Sequence, residues 1–160
     1  MRPMREEEMR GLVERAKWAT ICTVDESGAP YAIEATPFRL DGTICFMISP
    51  RGGTFRNVGR NDKVLLKYTA TWDGVRGWAG VSCFGRGRFV ADDALLVRGW
   101  AKLGLVLGQD FSAAAERFLG KEASPLFMVQ VDHMTGRCSA KAGETLLLDA
   151  QEKALAEEPA

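Results

Sequence analysis

Frequent turns are the strongest constraint on this chain. Asp25-Glu26-Ser27-Gly28, Asp41-Gly42 and Thr71-Trp72-Asp73-Gly74 are turn sequences, and each separates two runs rich in β-branched and aromatic residues. Connections this short bring the chain back beside itself, so the neighbouring runs are expected to be antiparallel. Trp18 to Val24 and Pro30 to Phe38 read as a first hairpin, and Asp41-Gly42 leads on to a central apolar run from Ile44 to Ile48. Val64 to Thr69 and Trp78 to Val90 follow, the latter alternating Val81, Cys83, Gly85, Gly87 and Phe89 against Ser82, Arg86 and Arg88, with room to bend at its glycines. Pro125 opens the last clear strand, Leu126 to Val131, which is expected to close on a turn at His133-Met134-Thr135-Gly136-Arg137. Five or six strands in a meander around one core predict a mainly β fold, a small antiparallel barrel with peripheral helices.

Helical spacing accounts for most of the rest. Met4, Met9, Leu12, Val13 and Ala16 share one face of an N-terminal helix over residues 4–16, with Glu6, Glu7 and Glu8 where negative charge suits the helix dipole. Asp92 or Asp93 can cap a helix from Ala94 to Leu107, with Gly108 as its stop, and Asp110 or Ser112 a shorter one from Ala113 to Leu119. Leu146 to Leu148 is apolar enough to dock, and the polar tail beyond it reads as frayed. A chain of 160 residues has room for a single core and is read as one domain, with the barrel over about 18–137 and a C-terminal tail over 143–160.

The segment Cys45 to Val64, CFMISPRGGTFRNVGRNDKV, reads strand, glycine loop, helix, strand. A helix start carries free N–H groups and a positive dipole end, and Gly52-Gly53 lets the backbone close on an anion with no Cβ in the way. Thr54 is placed as the N-cap, and Ser49, Arg51 and Thr54 would add two hydroxyls and a guanidinium. The expectation is a phosphate cradle, set against a plain strand-to-helix turn with solvated arginines.

Other chemistries find little support. The 21 basic and 21 acidic residues cancel, which gives no argument for nucleic acid or an anionic membrane as partner. Cys22, Cys45, Cys83 and Cys138 lie far apart without a C-x-x-C and read as free buried thiols. With His133 the one histidine, no zinc cluster is expected, and no G-x-S-x-G supports a serine triad. His133, after a strand at the mouth of a turn, reads as a surface or cap residue, and Trp72 and Trp78 as core or dimer contacts. Met1 to Arg15 is charged throughout and Ala94 to Gly108 carries Arg98 and Lys102, so neither a signal peptide nor a membrane span is expected, and the location is read as cytoplasmic.

The motifs also line up with a family. The hairpin TVDESGAPYA (Thr23 to Ala32), the glycine loop leading into FRNVGRNDKV, the strand VSCFGRGRFV and the late FMVQVDHMTGR resemble, in order and spacing, the pyridoxamine 5′-phosphate oxidase-like, FMN-binding split-barrel superfamily. The nearest resemblance is to the nitroimidazole-resistance type flavoproteins. It implies a six-stranded antiparallel split β-barrel with short flanking helices, a homodimer, and FMN in a groove between subunits. By that resemblance the backbone of Glu34, Ala35 and Thr36 would lie along the isoalloxazine edge, with Ile48 and Ser49 against the ribityl-phosphate. Gly53 and Thr54 stand where family members commonly carry a basic pair, so Arg51, Arg56 or Lys67 would supply the charge from a neighbouring position. Met47 stands near the position of a histidine in the nitroimidazole-resistance proteins.

The expected function is therefore an FMN-dependent oxidoreductase passing electrons from a reduced nicotinamide to a small oxidised acceptor, with no catalytic residue assigned and no metal. Two alternatives stay open: a non-catalytic flavin- or haem-binding or sensing protein of the same fold, and a cofactor-free barrel.

Overall fold

The structure, a computed structural model, describes residues 1–141; the expected tail, including Leu146 to Leu148, lies outside them. In chain order the elements are β1 (Arg2–Pro3), α1 (Glu6–Arg15), β2 (Ala19–Val24), β3 (Pro30–Ala35), β4 (Phe38–Leu40), β5 (Thr43–Met47) and α2 (Gly53–Arg60). They continue as β6 (Lys63–Trp72), β7 (Gly77–Phe89), α3 (Asp93–Leu107), α4 (Ser112–Glu116) and β8 (Leu126–Cys138). The expected mainly β, antiparallel class with short helices holds; the strand count rises from six to eight because a two-residue β1 and a separate β4 appear. No helix among the described residues is long and apolar enough to cross a membrane.

The chain falls into two compact units. One comprises Met1–Ala16, Tyr68–Ser82 and, of the described residues, 134–141. In it β1 lies antiparallel to the end of β8, Arg2 opposite Cys138 and Pro3 opposite Arg137. That pairing corrects the expected turn at His133 to Arg137, because β8 runs on as a strand to Cys138. Gly136 serves close approach, since a Cβ there would come within 2.8 Å of Met9 and 2.9 Å of the Met4 sulfur. α1 begins with Glu8 reaching back to accept the Arg5 N–H at 2.8 Å. Arg2 donates to both oxygens of the same carboxylate, at 2.9 and 2.7 Å, and chiefly through these bonds holds its pKa down at about 2.

The other unit, Lys17–Lys67 with Cys83–His133, contains the cavity of interest. Its strands follow the order β3-β2-β6-β7-β8-β5-β4. The first hairpin is as expected, Val24 opposite Pro30 through Ala19 opposite Ala35. The expected strand from Pro30 to Phe38 is instead two strands, because Pro37 can neither donate to a ladder nor leave Thr36 free in its dihedrals. The two halves part company, β3 to one edge of the order and β4 to the other. The layout is thus not a meander. Asp41 and Gly42, both at positive φ (50° and 81°), close the β4–β5 hairpin, and β5 takes β8 as its second neighbour, Cys45 opposite Met128. α3 covers β4 and β5: Leu96 and Leu103 join Phe38, Leu40, Cys45 and Leu126 in one buried cluster. Gly99 lets the helix in, since a Cβ there would lie 2.6 Å from the Met47 methyl. All four cysteines are free; burial pushes the Cys45 and Cys83 thiols up to about 11 each.

Candidate functional site

The site begins where β5 ends. The Ile48 N–H donates to the Pro125 carbonyl at 2.9 Å, so the strand's path is held for one residue past its ladder. The chain then turns: Gly52 N–H donates to the Ser49 carbonyl at 3.1 Å, and the Ser49 hydroxyl accepts from the Arg51 N–H at 3.3 Å. α2 follows at once, with Gly52, not Thr54, as its N-cap. Gly52 has no side chain to cap with, and the first turn of α2 contains no acidic residue. Its leading N–H groups are left without a side-chain partner. Thr54 instead lies one residue inside the helix, 1% exposed, and its hydroxyl has no hydrogen-bond partner among the described residues. Buried polar groups are rarely left so, at a cost of about 1–3 kcal/mol each.

One buried side-chain bond links α2 to the first hairpin. Asn57 Nδ2 donates to Thr23 Oγ1 at 3.0 Å, tying the helix to β2. Thr23 is the cross-strand partner of Tyr31, so the two side chains share a face of the β2–β3 hairpin. On the helix, Gly53 is four residues before Asn57 and lies one turn nearer the N-terminus on the same face. The result brings the Tyr31 ring down on Gly53: a Cβ at that position would lie 2.7 Å from Tyr31 Cζ and 3.0 Å from its hydroxyl oxygen.

These pieces enclose a cavity of about 420 Å³. Of the residues expected from sequence, Glu34, Ala35, Thr36, Ile48, Ser49, Gly53 and Thr54 line it together. Arg51 and Lys67 do not. Arg51 is exposed and its carbonyl accepts from Arg56 at 3.0 Å, while Lys67 sits on β6 opposite Thr20, two strands in from Glu34. Gly52 of the expected glycine loop lines the cavity too, while Tyr31, Ile33, Leu103 and Leu107 were not expected there, nor Met47 as a lining residue. Period-two alternation puts Tyr31, Ile33 and Ala35 on one face of β3, and Gly99, Leu103 and Leu107 recur at the four-residue spacing of one helix face. Nothing in the sequence says that those two faces meet.

Among the described residues no lysine or arginine lines the cavity, and the one acidic lining residue, Glu34, accepts from the Thr20 hydroxyl at 2.6 Å. Glu34 alternates with Ile33 and Ala35, so its side chain lies on the face of β3 opposite Tyr31, beside Thr20. Burial first, and the Glu34 charge second, push the neighbouring Cys22 thiol up. Away from the helix start the wall is formed largely by Ile33, Met47, Leu103 and Leu107. An anion is favoured only at the start of α2, and a flat apolar body only beside β3.

Two other depressions exist in the same unit. One, lined by Arg39, Arg86 and Arg88, contains none of the expected residues, and Arg86 there is paired to Asp62 at 3.0 Å. The other is an apolar cleft between α3 and α4. Neither combines free backbone donors with a buried hydroxyl.

A profile of the pyridoxamine 5′-phosphate oxidase family matches residues 6–135. The chain belongs to this family. As a member it shares its fold with several solved structures at low identity. A putative 5-nitroimidazole antibiotic resistance protein from Bacteroides thetaiotaomicron superposes with a TM-score of 0.68 at 17% identity, covering 86% of each chain. An FAD-binding protein from Mesorhizobium loti reaches a TM-score of 0.66 at 15% identity, covering 87% of this chain and 98% of that one. A haem storage protein from Vibrio cholerae reaches 0.63 at 19% identity, covering 82% of this chain and 94% of that one. No curated protein matches the chain. In this family member the segment between β5 and β6 is thus a glycine-entered helix facing a cavity, with no basic residue on the lining among the described residues.

Proposed function

We propose that the cavity binds FMN and that the protein is an FMN-dependent oxidoreductase, passing electrons from a reduced nicotinamide to a small oxidised acceptor. One observation carries the reading. Thr54, whose buried hydroxyl is unpartnered among the described residues, lies at an uncapped helix start and is one of seven residues expected from sequence that line the cavity together. An orphaned donor in such a place is accounted for by an anionic group supplied from outside. Ser49, Gly53 and Thr54 would hold the phosphate. The backbone of Glu34 to Thr36, with Ile33, Met47, Leu103 and Leu107, would hold the ring system. When bound, the flavin supplies the electron-transfer chemistry, and the chain binds it, orients it and excludes water.

Flavin is favoured over haem because no histidine lines the cavity; the His133 ring lies elsewhere in the unit, stacked on Phe84 at 4.7 Å and 7°. The reading includes a homodimer in the cytoplasm. Its support is β3, at one edge of the strand order, which leaves Pro30, Tyr31, Ala32 and Glu34 exposed on both faces. Light scattering at micromolar concentration should find a dimer, and a monomer would remove that part. The visible spectrum of the purified protein, followed by titration of apoprotein with FMN and riboflavin, tests the rest. Flavin bands and tighter binding of FMN are expected, with oxidation of a reduced nicotinamide by the loaded protein. A colourless protein that ignores both flavins overturns the proposal. Flavin bound without turnover would reduce it to a binding protein.

A further inference from the structure

We propose that Tyr31 is the specificity-determining residue of this cavity: its hydroxyl receives the ligand's anionic group together with Thr54 and the α2 backbone, making a cradle of neutral donors that takes a phosphate monoester without a cationic clamp. The inference rests on the flavin reading for the identity of the ligand but on separate observations for the residue. The position of Tyr31 is determined from two sides. Its cross-strand partner Thr23 is bonded to Asn57 at 3.0 Å, and its ring stands over Gly53, one turn earlier on the same helix.

Three consequences follow from that placement. First, the ring occupies the space a side chain at position 53 would need, because even a methyl would lie 2.7 Å from Tyr31 Cζ, well inside van der Waals contact. With the ring in this position, Tyr31 disfavours any side chain, lysine or arginine included, at position 53. Second, the Tyr31 hydroxyl makes no hydrogen bond among the described residues, and neither does the Thr54 hydroxyl, so two unengaged O–H donors flank the free N–H groups of the first turn. Third, with no lysine or arginine in the lining among the described residues, the attraction for an anion comes from hydrogen bonds and the helix end at contact range. A preference built this way is screened little by salt, whereas one built on exposed cations is screened strongly.

The test is a titration of wild type, Tyr31→Phe, Tyr31→Ala, Gly53→Ala and the Tyr31→Ala/Gly53→Ala double variant with FMN and riboflavin at low and high salt. Thermal shifts with inorganic phosphate alone are measured beside it. Tyr31→Phe keeps the ring and is expected to fold; it should lose FMN affinity about tenfold, leave riboflavin unchanged and abolish the phosphate shift. Gly53→Ala should weaken FMN in wild type and be tolerated once Tyr31 is alanine, and the wild-type preference for FMN should persist at high salt. An FMN preference unchanged in Tyr31→Phe, or a Gly53→Ala defect equal in both backgrounds, overturns the role of Tyr31 while leaving the flavin reading intact. If wild type binds neither flavin but shows a phosphate shift that Tyr31→Phe removes, the flavin reading falls and the role of Tyr31 stands. Absence of both flavin binding and phosphate shift overturns the two together.

Discussion

The starts of α2 and α3 belong to the same unit, and both are entered from extended backbone, at φ −83°, ψ 175° for Gly52 and φ −126°, ψ 114° for Asp92. They differ in what meets the first turn. Asp92 accepts the Leu95 N–H at 2.9 Å, and Asp93 adds a second negative charge that itself accepts the Gly120 N–H at 3.0 Å. α3 is closed by its own chain. α2 has glycine at the cap, no acid in its first turn and a buried hydroxyl left over. Helix starts are ordinarily completed from within, as α3 is, so an incomplete one facing a cavity is a place for a ligand.

The comparison breaks most readily at Gly53. Gly53→Val should reduce FMN affinity more than 100-fold, roughly 3 kcal/mol, because its branched side chain would meet the Tyr31 ring where even a Cβ comes to 2.7 Å. Calorimetric titration reads the loss, and circular dichroism checks that the variant is folded. Retained affinity would mean that the start of α2 is as closed to ligands as that of α3.

Thr54→Val sharpens the contrast. A residue that is not a cap should be replaceable without cost to the apoprotein, so the melting temperature should hold or rise while FMN affinity falls about tenfold and riboflavin affinity stays. Asp92→Ala should do the opposite, costing about 1 kcal/mol of stability by denaturant melting and leaving FMN binding unchanged. A drop in stability with Thr54→Val would show that its hydroxyl has an internal role.

The smallest effect is on pH. In the other unit α1 is closed by Glu8, whose pKa is lowered from 4.5 to about 2, mainly by Arg2. A depressed carboxylate contributes stability above its unfolded pKa and loses it as pH falls through the folded value. The Arg5 N–H resonance should therefore titrate with a midpoint near pH 2, and in Arg2→Ala that midpoint should move up toward 4.5. The first-turn amides of α2 have no carboxylate to lose and should not titrate over that range. A titration there would place an unrecognised acid at the cavity.

Local signals carried much of this fold. Turn residues and alternation located the hairpins, Asp92 and Gly108 marked the limits of α3, and the glycine loop pointed to the start of α2. Those features depend on the dihedral preferences and hydrogen-bonding reach of residues adjacent in sequence. The errors came where distant chain decided. β8 continues past His133 because β1 pairs with it, and β3 and β4 separate at Pro37 toward different neighbours. Thr54 is not a cap because Gly52 already provides the turn into α2, which leaves the threonine inside the helix and buried.

By itself, then, the sequence determined an antiparallel, mainly β chain and a glycine-entered helix with the residue types an anion needs. Tertiary structure alone decided that the helix start would face a cavity and that its donors would be neutral. The register of β2 on β3 and the Asn57–Thr23 bond place Tyr31 over Gly53, and α3 docks through Gly99 to bring Leu103 and Leu107 to the opposite wall. Arg51 and Lys67, plausible by proximity in sequence or family position, are left off the lining. The physical reason is that a site is a set of distances between residues far apart in sequence. Local propensity specifies the conformation of each segment, while long-range packing and strand register specify which segments meet.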